Sequence, residues 1–396
     1  MRQYDKVTPE GTRDLLFDEC TLREELTGRL MGQFRRRGYR QVQTPALEFY
    51  DVFSSSAAHF PQESMYKLAD GRGRLMVLRP DCTIPIARLA ATRLSGAPLP
   101  LRLCYSQNVY RVQHDMRGKP SEIFQTGVEL IGAGSLRSDL EIVELAASAL
   151  GEVGEGFRIE LCHIGYFKSL IDSLTADADT KEAIRQDVEQ KNYPSLTDRL
   201  EQFGESRAAA ALKYLPRLFG GAEVFDRAYA LFGENGARES LDYLRSIYDC
   251  LRELGLEDRV LIDLGMVNQA EYYTGIIFRG YFDGVGEPVL SGGRYDNLLG
   301  DFGEPLSATG FGIYVDAAVT LLEQRPPKAP DILVFSDEGH LSQAVNYLKS
   351  LTENGLVVES CLFDEFDAAA DYAKRRGIAQ LHVVDDDIEV VDVQEL

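Results

Sequence analysis

Apolar and polar positions alternate most strongly between Leu101 and Gly132. There β-favouring residues fill Leu103–Val112 and Ile123–Ile131, with Gly118 and Pro120 between them. This pattern predicts two strands joined by a turn. Residues two apart on a strand share a face, so Gln125, Gly127 and Glu129 point the same way, the glycine leaving room between an amide and a carboxylate. Arg111 ends the first strand and falls near them if the strands pair. A cation, an amide and an acid together suit a small zwitterion. The same residues fit an ordinary half-exposed hairpin with a solvated face, and this stretch alone leaves both readings open.

Elsewhere the period lengthens. Leu22, Leu26, Leu30 and Phe34 form a stripe that predicts a helix over Thr21–Arg37, with a Thr21/Glu24 capping box, Arg35–Arg37 against the C-terminal dipole and Gly38 as its stop. A short strand near Arg40–Thr44 and a less regular stretch to Gly71 follow. Leu75–Leu78 reads as a strand leading into Arg79-Pro-Asp-Cys-Thr83, then a helix from about Ile86 to Leu94. Beside a proline, Asp81 and Thr83 read on their own as turn and cap residues. Ser138 and Glu141 predict a second capping box for a helix through Leu150, stopped by Gly151. From about Gly165 to Asp258 helical periodicity dominates, as in an inserted helical subdomain.

Strand-like sequence returns at Arg259–Leu264 and Tyr272–Tyr281, followed by Ser291-Gly-Gly-Arg-Tyr-Asp296 and Gly310-Phe-Gly-Ile-Tyr-Val-Asp316. The last glycine pair follows no βαβ strand and opens no phosphate-cradling helix, which argues against a dinucleotide site. Arg325–Pro330 has the composition of a stiff linker. Beyond it Ile332–Phe335, Leu341–Asn354, Val357–Ser360, Phe366–Arg376 and Ile378–Val384 alternate as βαβαβ, a small α/β domain.

Composition narrows the function classes. A chain of 396 residues is expected to form two or three domains, since one core rarely grows beyond roughly 250 to 300 residues. No apolar run approaches the roughly 18 residues of a membrane span, and the N-terminal stretch lacks a secretory segment, so a cytoplasmic protein without membrane association is expected. The six cysteines are scattered without close pairs or a histidine at ligand spacing. That argues against a zinc site or a disulfide framework, and no metal is expected. The formal net charge is −21, from 42 basic and 63 acidic residues, a field that opposes nucleic-acid binding. From Asp331 onward the acidic share of the charged residues is larger still, fifteen against four.

Six segments, in order, resemble the motifs of histidyl-tRNA synthetase, a class II aminoacyl-tRNA synthetase: Pro9–Asp14, Leu78–Thr83, Tyr110-Arg111, Phe124–Glu129, Glu271-Tyr-Tyr273 and Gly292–Asp296. The resemblance runs to about Ala318. It implies an α+β fold, with an antiparallel sheet flanked by helices over residues 1–324 (helical insertion about 165–258), a linker at 325–330 and a truncated anticodon-binding-like α/β domain at 331–396. It also implies a dimer, with Gln41–Phe53 contributing to the interface. By the same resemblance Asp81 takes a substrate ammonium with Thr83 and Gln125 in support, Glu129 and Tyr273 contact an imidazole, and Tyr272 lines the pocket. A carboxylate facing a hydrogen-donating ring, with a second holding an amine, agrees with the chemistry read from the hairpin.

The activating machinery departs from the pattern. Arg111 keeps the motif 2 arginine of the ATP clamp and is grouped with the histidine-binding set. The motif 3 arginine falls at Ala317, the histidyl-specific arginine at Asn268, and the motif 2 glutamate at Gln113. Losing one cation from a phosphoryl-transfer site typically costs on the order of 10³-fold in rate, so adenylate formation is expected to be lost and no residue is assigned a catalytic role. Retention of the pocket with loss of the clamp resembles the synthetase paralogues that serve as ATP phosphoribosyltransferase regulatory subunits. That resemblance implies a non-catalytic partner of a short-form catalytic subunit, required for the first step of histidine biosynthesis and its feedback control. It implies histidine as ligand, and neither a cofactor nor tRNA. An active histidyl-tRNA synthetase, or a histidine-binding module regulating another system, are the alternatives.

Overall fold

The computed structural model describes residues 4, 6–54, 60–113, 119–267, 272–323 and 329–396. It divides into two compact units, Met1–Glu323 and Gln324–Leu396.

The first unit is built on the hairpin. Its strands, Leu101–Tyr110 and Glu122–Ile131, pair antiparallel over their whole length, with Gln107 opposite Gln125 and Tyr105 opposite Gly127. Part of the turn expected around Gly118 lies outside the described residues. Among the described residues the sheet has nine strands. After Arg40–Gln41 and the hairpin come Ala308–Tyr314, Leu290–Arg294, Ile276–Phe282, Phe157–His163, Val260–Asp263 and Phe219–Gly220. Every pairing from Leu101–Tyr110 across to Phe157–His163 is antiparallel, and parallel pairs join only near the edges.

One face of the sheet carries the larger core. The Leu26, Leu30, Phe34 stripe of helix Asp18–Arg36 packs there with helix Leu136–Gly151 against Val128, Phe278 and Phe311, and Phe34 meets Phe311 edge-on at 5.8 Å between ring centroids. The opposite face carries a second cluster with helix Thr83–Arg93, Leu103, Tyr105, Tyr272 and Tyr295. That face is the one shared by Gln125, Gly127 and Glu129.

Two caps differ from expectation. The first helix begins at Asp18, after Phe17 at φ 46°, and no side chain caps it, so the Thr21/Glu24 box does not form. Thr21 already lies inside the helix, and its hydroxyl donates to the Phe17 carbonyl. The second helix starts at Leu136, and its box is Ser135 with Ser138. Glu141 is unavailable because Arg102 grips both its carboxylate oxygens, at 2.9 and 2.8 Å.

Between Ile164 and Glu253 lie the helices Ile164–Asp172, Ala178–Glu189, Tyr193–Leu200, Arg207–Tyr214, Glu223–Phe232 and Asn235–Glu253, interrupted only by short 3-10 turns and the two-residue strand Phe219–Gly220. A separate three-stranded sheet, Leu47–Phe49, Leu75–Leu78 and Lys67–Ala69, sits before helix Thr83–Arg93.

The second unit has strands Ile332–Ser336, Val358–Ser360 and Gln380–Val384 in parallel, with helices Leu341–Glu353 and Phe366–Arg376 between them. A further antiparallel strand, Ile388–Asp392, was not expected. Asp385–Asp387 turns the chain back, with the Asp387 N–H donating to the Asp385 carboxylate. All six cysteines are free thiols, and no described helix is long and apolar enough to cross a membrane.

Candidate functional site

Glu129 is at the centre of the site. Strand alternation directs it to the second face of the sheet, where it is 1% exposed. The Thr83 hydroxyl donates to its Oε1 at 2.7 Å, and the Tyr295 hydroxyl donates to Oε2. Burial pushes its pKa up to about 8, against the pull of these two hydroxyls. At neutral pH the empty site therefore holds a largely protonated acid already supplied with two donors.

The glycines on this face do something other than leave an open floor. A Cβ on Gly310 would collide with the Glu129 carboxylate, one on Gly127 would come 2.6 Å from the Tyr105 hydroxyl, and one on Gly293 would come 2.7 Å from the Tyr273 ring. They let the acid and two phenols lie flat against the backbone. The room expected over Gly127 is occupied by Tyr105.

Asp81 is also buried. Its Oδ1 accepts the Ile84 N–H at 2.8 Å, so it does serve the start of helix Thr83–Arg93. Burial raises its pKa, opposed by the N–H groups of Ile84 and Thr83 and by the Arg111 charge. Arg111 donates from Nε to the Pro80 carbonyl at 2.9 Å and lies 5.7 Å from the centroid of the Phe60 ring. Tyr272 and Tyr273 pack 4.8 Å apart, and Tyr272 meets Tyr295 edge-on at 5.9 Å. Gln125 is 6% exposed, its amide facing the same side of the sheet as Glu129.

Asp81, Thr83, Arg111, Gln125, Glu129, Tyr272 and Tyr273 thus share one face and one cluster. Tyr105, Tyr295 and Tyr314 belong to it as well, although sequence reasoning passed over them. Tyr295 stands in the Gly292-Gly-Arg-Tyr-Asp296 segment, the signal that was available. Two acids, one cation and an amide suit a ligand with an ammonium, a carboxylate and a ring N–H. No reactive thiol adjoins them, since burial pushes the Cys82 pKa up to about 12. A cavity of about 370 Å³ lies to one side of Tyr273, lined by Phe167, Ile171, Ile277 and Lys168, and a wider groove around Arg37 and Arg102 is lined by helix Leu136–Gly151.

Of the positions where the ATP machinery is missing, Gln113 donates to the Pro120 carbonyl at 3.2 Å, and Ala317 is partly buried against the larger core in the short helix Val315–Val319. Asn268 lies outside the described residues.

A family model described as histidyl-tRNA synthetase matches residues 11–318. The ATP phosphoribosyltransferase regulatory subunit of Clostridium kluyveri is 41% identical over 391 residues, covering 97% of this chain and 100% of that relative. The chain belongs to this regulatory subunit family. The Clostridium acetobutylicum regulatory subunit is 38% identical, over 99% of this chain and 98% of its own. Among solved structures, an ATP phosphoribosyltransferase regulatory subunit/histidyl-tRNA synthetase from Bacillus halodurans C superposes with a TM-score of 0.84 at 31% identity, over 93% of this chain and 97% of that one. A histidyl-tRNA synthetase from Nostoc superposes with a TM-score of 0.80 at 19% identity, over 99% and 95% of the two chains. The fold is therefore that of the class II synthetases. The structural likeness runs on past Ala318, where the sequence motifs end, and reaches the C-terminal unit.

Proposed function

We propose that the chain is the non-catalytic regulatory subunit of ATP phosphoribosyltransferase, working with a short-form catalytic subunit in the first step of histidine biosynthesis and making that step sensitive to histidine in the cytoplasm. Near-full-length relatives carry the subunit's name. The observation that carries the ligand is the buried cluster itself. Glu129 faces the imidazole, Asp81 the ammonium and Arg111 the carboxylate, while the Gln125 amide completes the set. Histidine bound here would favour one conformation of the subunit, and coupling of this kind is typically worth about 1–3 kcal/mol, a 5- to 150-fold change in affinity at the coupled site.

A dimer is part of this reading. In the three-stranded sheet, Leu47, Phe49 and Leu68 are 46, 44 and 42% exposed on one face, while Glu48 and Val77 on the other are buried. An outward apolar face of this type supports association with a second copy. The Ala317 and Gln113 positions, and the acidic C-terminal unit, support the absence of aminoacylation and of tRNA binding.

Size-exclusion chromatography with a short-form catalytic subunit tests the partner, and histidine-dependent ATP–pyrophosphate exchange tests the alternative. Co-elution without exchange is expected. Exchange at ordinary synthetase rates, with no complex, would overturn the proposal.

A further inference from the structure

We propose that Tyr314 closes the site beside Arg111, so that the pocket takes a free amino acid and excludes one extended by a nucleotide. The inference rests on the histidine-pocket reading above and deepens it.

Along strand Ala308–Tyr314 the positions on the site face run Gly310, Gly312, Tyr314. The two glycines admit Glu129 and Tyr105 close to the backbone, and the third position presents a phenol ring in register with Gln125. The Tyr314 hydroxyl bonds the Ser291 hydroxyl at 3.0 Å and also engages the Arg111 side chain. Pro80 holds its Nε and Asp81 is its counter-charge, so the substrate carboxylate and the Tyr314 hydroxyl share what remains of the Arg111 guanidinium. A phosphoryl group seeking that cation would have to displace the tyrosine.

The chain just beyond Tyr314 is held in place. Asp316 accepts the Phe124 N–H at 2.9 Å, and Arg23 lies 3.8 Å from its carboxylate and 4.9 Å from the centre of the Phe124 ring. Arg23 is thus matched by an acid and laid over an aromatic face.

Calorimetry on the full chain tests this with two probes, histidine and a non-hydrolysable sulfamoyl analogue of histidyl-adenylate. Wild type and Tyr314→Phe, which keeps the ring, are expected to bind the analogue at least 100-fold more weakly than histidine. Tyr314→Ala is expected to narrow that gap at least tenfold, and Tyr314→Val, which keeps strand propensity, gives the same readout if the alanine variant fails to fold. Equal binding of the two probes by wild type, or an unchanged gap in a variant whose circular dichroism melt shows it folded, would overturn the proposal. Failure of wild type to bind histidine at all would instead remove the pocket reading, and this inference with it.

Discussion

A carboxyl group with a pKa near 8 is an expensive thing to bury, and Glu129 is buried with only hydroxyl partners. In the unfolded chain it titrates near 4.5, so between about pH 4.5 and 8 the folded protein holds a proton that the unfolded chain has released. By linkage, its contribution to stability falls as pH rises through that window. Glu129→Gln has no such dependence. The melting temperature of the variant minus that of wild type is expected to increase from pH 5 to pH 8, and a difference that is flat or falls would remove Glu129 as an acid of raised pKa. The same variant is expected to weaken histidine binding by about 1.5–3 kcal/mol in calorimetry, through loss of a charge-assisted bond to the ring. Unchanged affinity would place histidine elsewhere. Histidine that pairs its ring with Glu129 shares one proton between imidazole and carboxyl. Affinity is therefore expected to be level from about pH 6.5 to 8, to fall above 8 as the empty site loses the proton, and to fall below 6.5 as the free ligand gains a second. A monotonic rise through pH 9 contradicts this pairing. At this scale the i, i+2, i+4 spacing of Gln125, Gly127 and Glu129 was readable directly. The phenols were not, because Tyr105 and Tyr314 lie on two different strands and Tyr295 just past the end of a third, and only the sheet pairing brings them to the acid and to Arg111.

Among the elements, the strand that leads into Tyr295 is tied to the helices by its last residue. Arg294 donates from Nε and a terminal nitrogen to both carboxylate oxygens of Asp139, at 2.9 and 2.7 Å, and to the Ser138 hydroxyl at 2.9 Å. Tyr243 of helix Asn235–Glu253 donates to the same carboxylate at 2.7 Å. One buried acid thus joins the site strand, the head of helix Leu136–Gly151 and the helical insertion. Removing one member of a buried pair strands the other, at a cost of about 3–5 kcal/mol. Asp139→Ala is expected to lower the unfolding free energy by that amount in urea titration, and a loss under about 1 kcal/mol would show that the pair is not structurally important. Element type was legible wherever periodicity was strong, as in the Leu22–Phe34 stripe. Caps were harder to place, because a Ser or Thr followed by Glu can be claimed by tertiary partners, as Arg102 claims Glu141. The last strand of the C-terminal unit was missed because its side chains are mostly exposed, which blurs the alternation that marks a half-buried strand.

For the whole molecule, the motif order made the synthetase-like fold legible before any coordinate, whereas surfaces that meet a partner leave no such periodic trace. The apolar face of Leu47, Phe49 and Leu68 makes self-association testable. Phe49→Asp is expected to shift the protein from dimer to monomer in analytical ultracentrifugation, and a variant that stays dimeric would exclude this face as the interface. The acidic C-terminal unit, with fifteen acids against four bases from Asp331 onward, argues against an RNA partner at that end. The most direct test of the regulatory assignment is the rate at which a short-form catalytic subunit joins ATP to phosphoribosyl pyrophosphate, measured with and without this chain as histidine is raised. The expected result is a rate increased by the chain and suppressed by histidine only in its presence. A catalytic subunit whose rate and histidine response are the same without the chain would contradict the assignment.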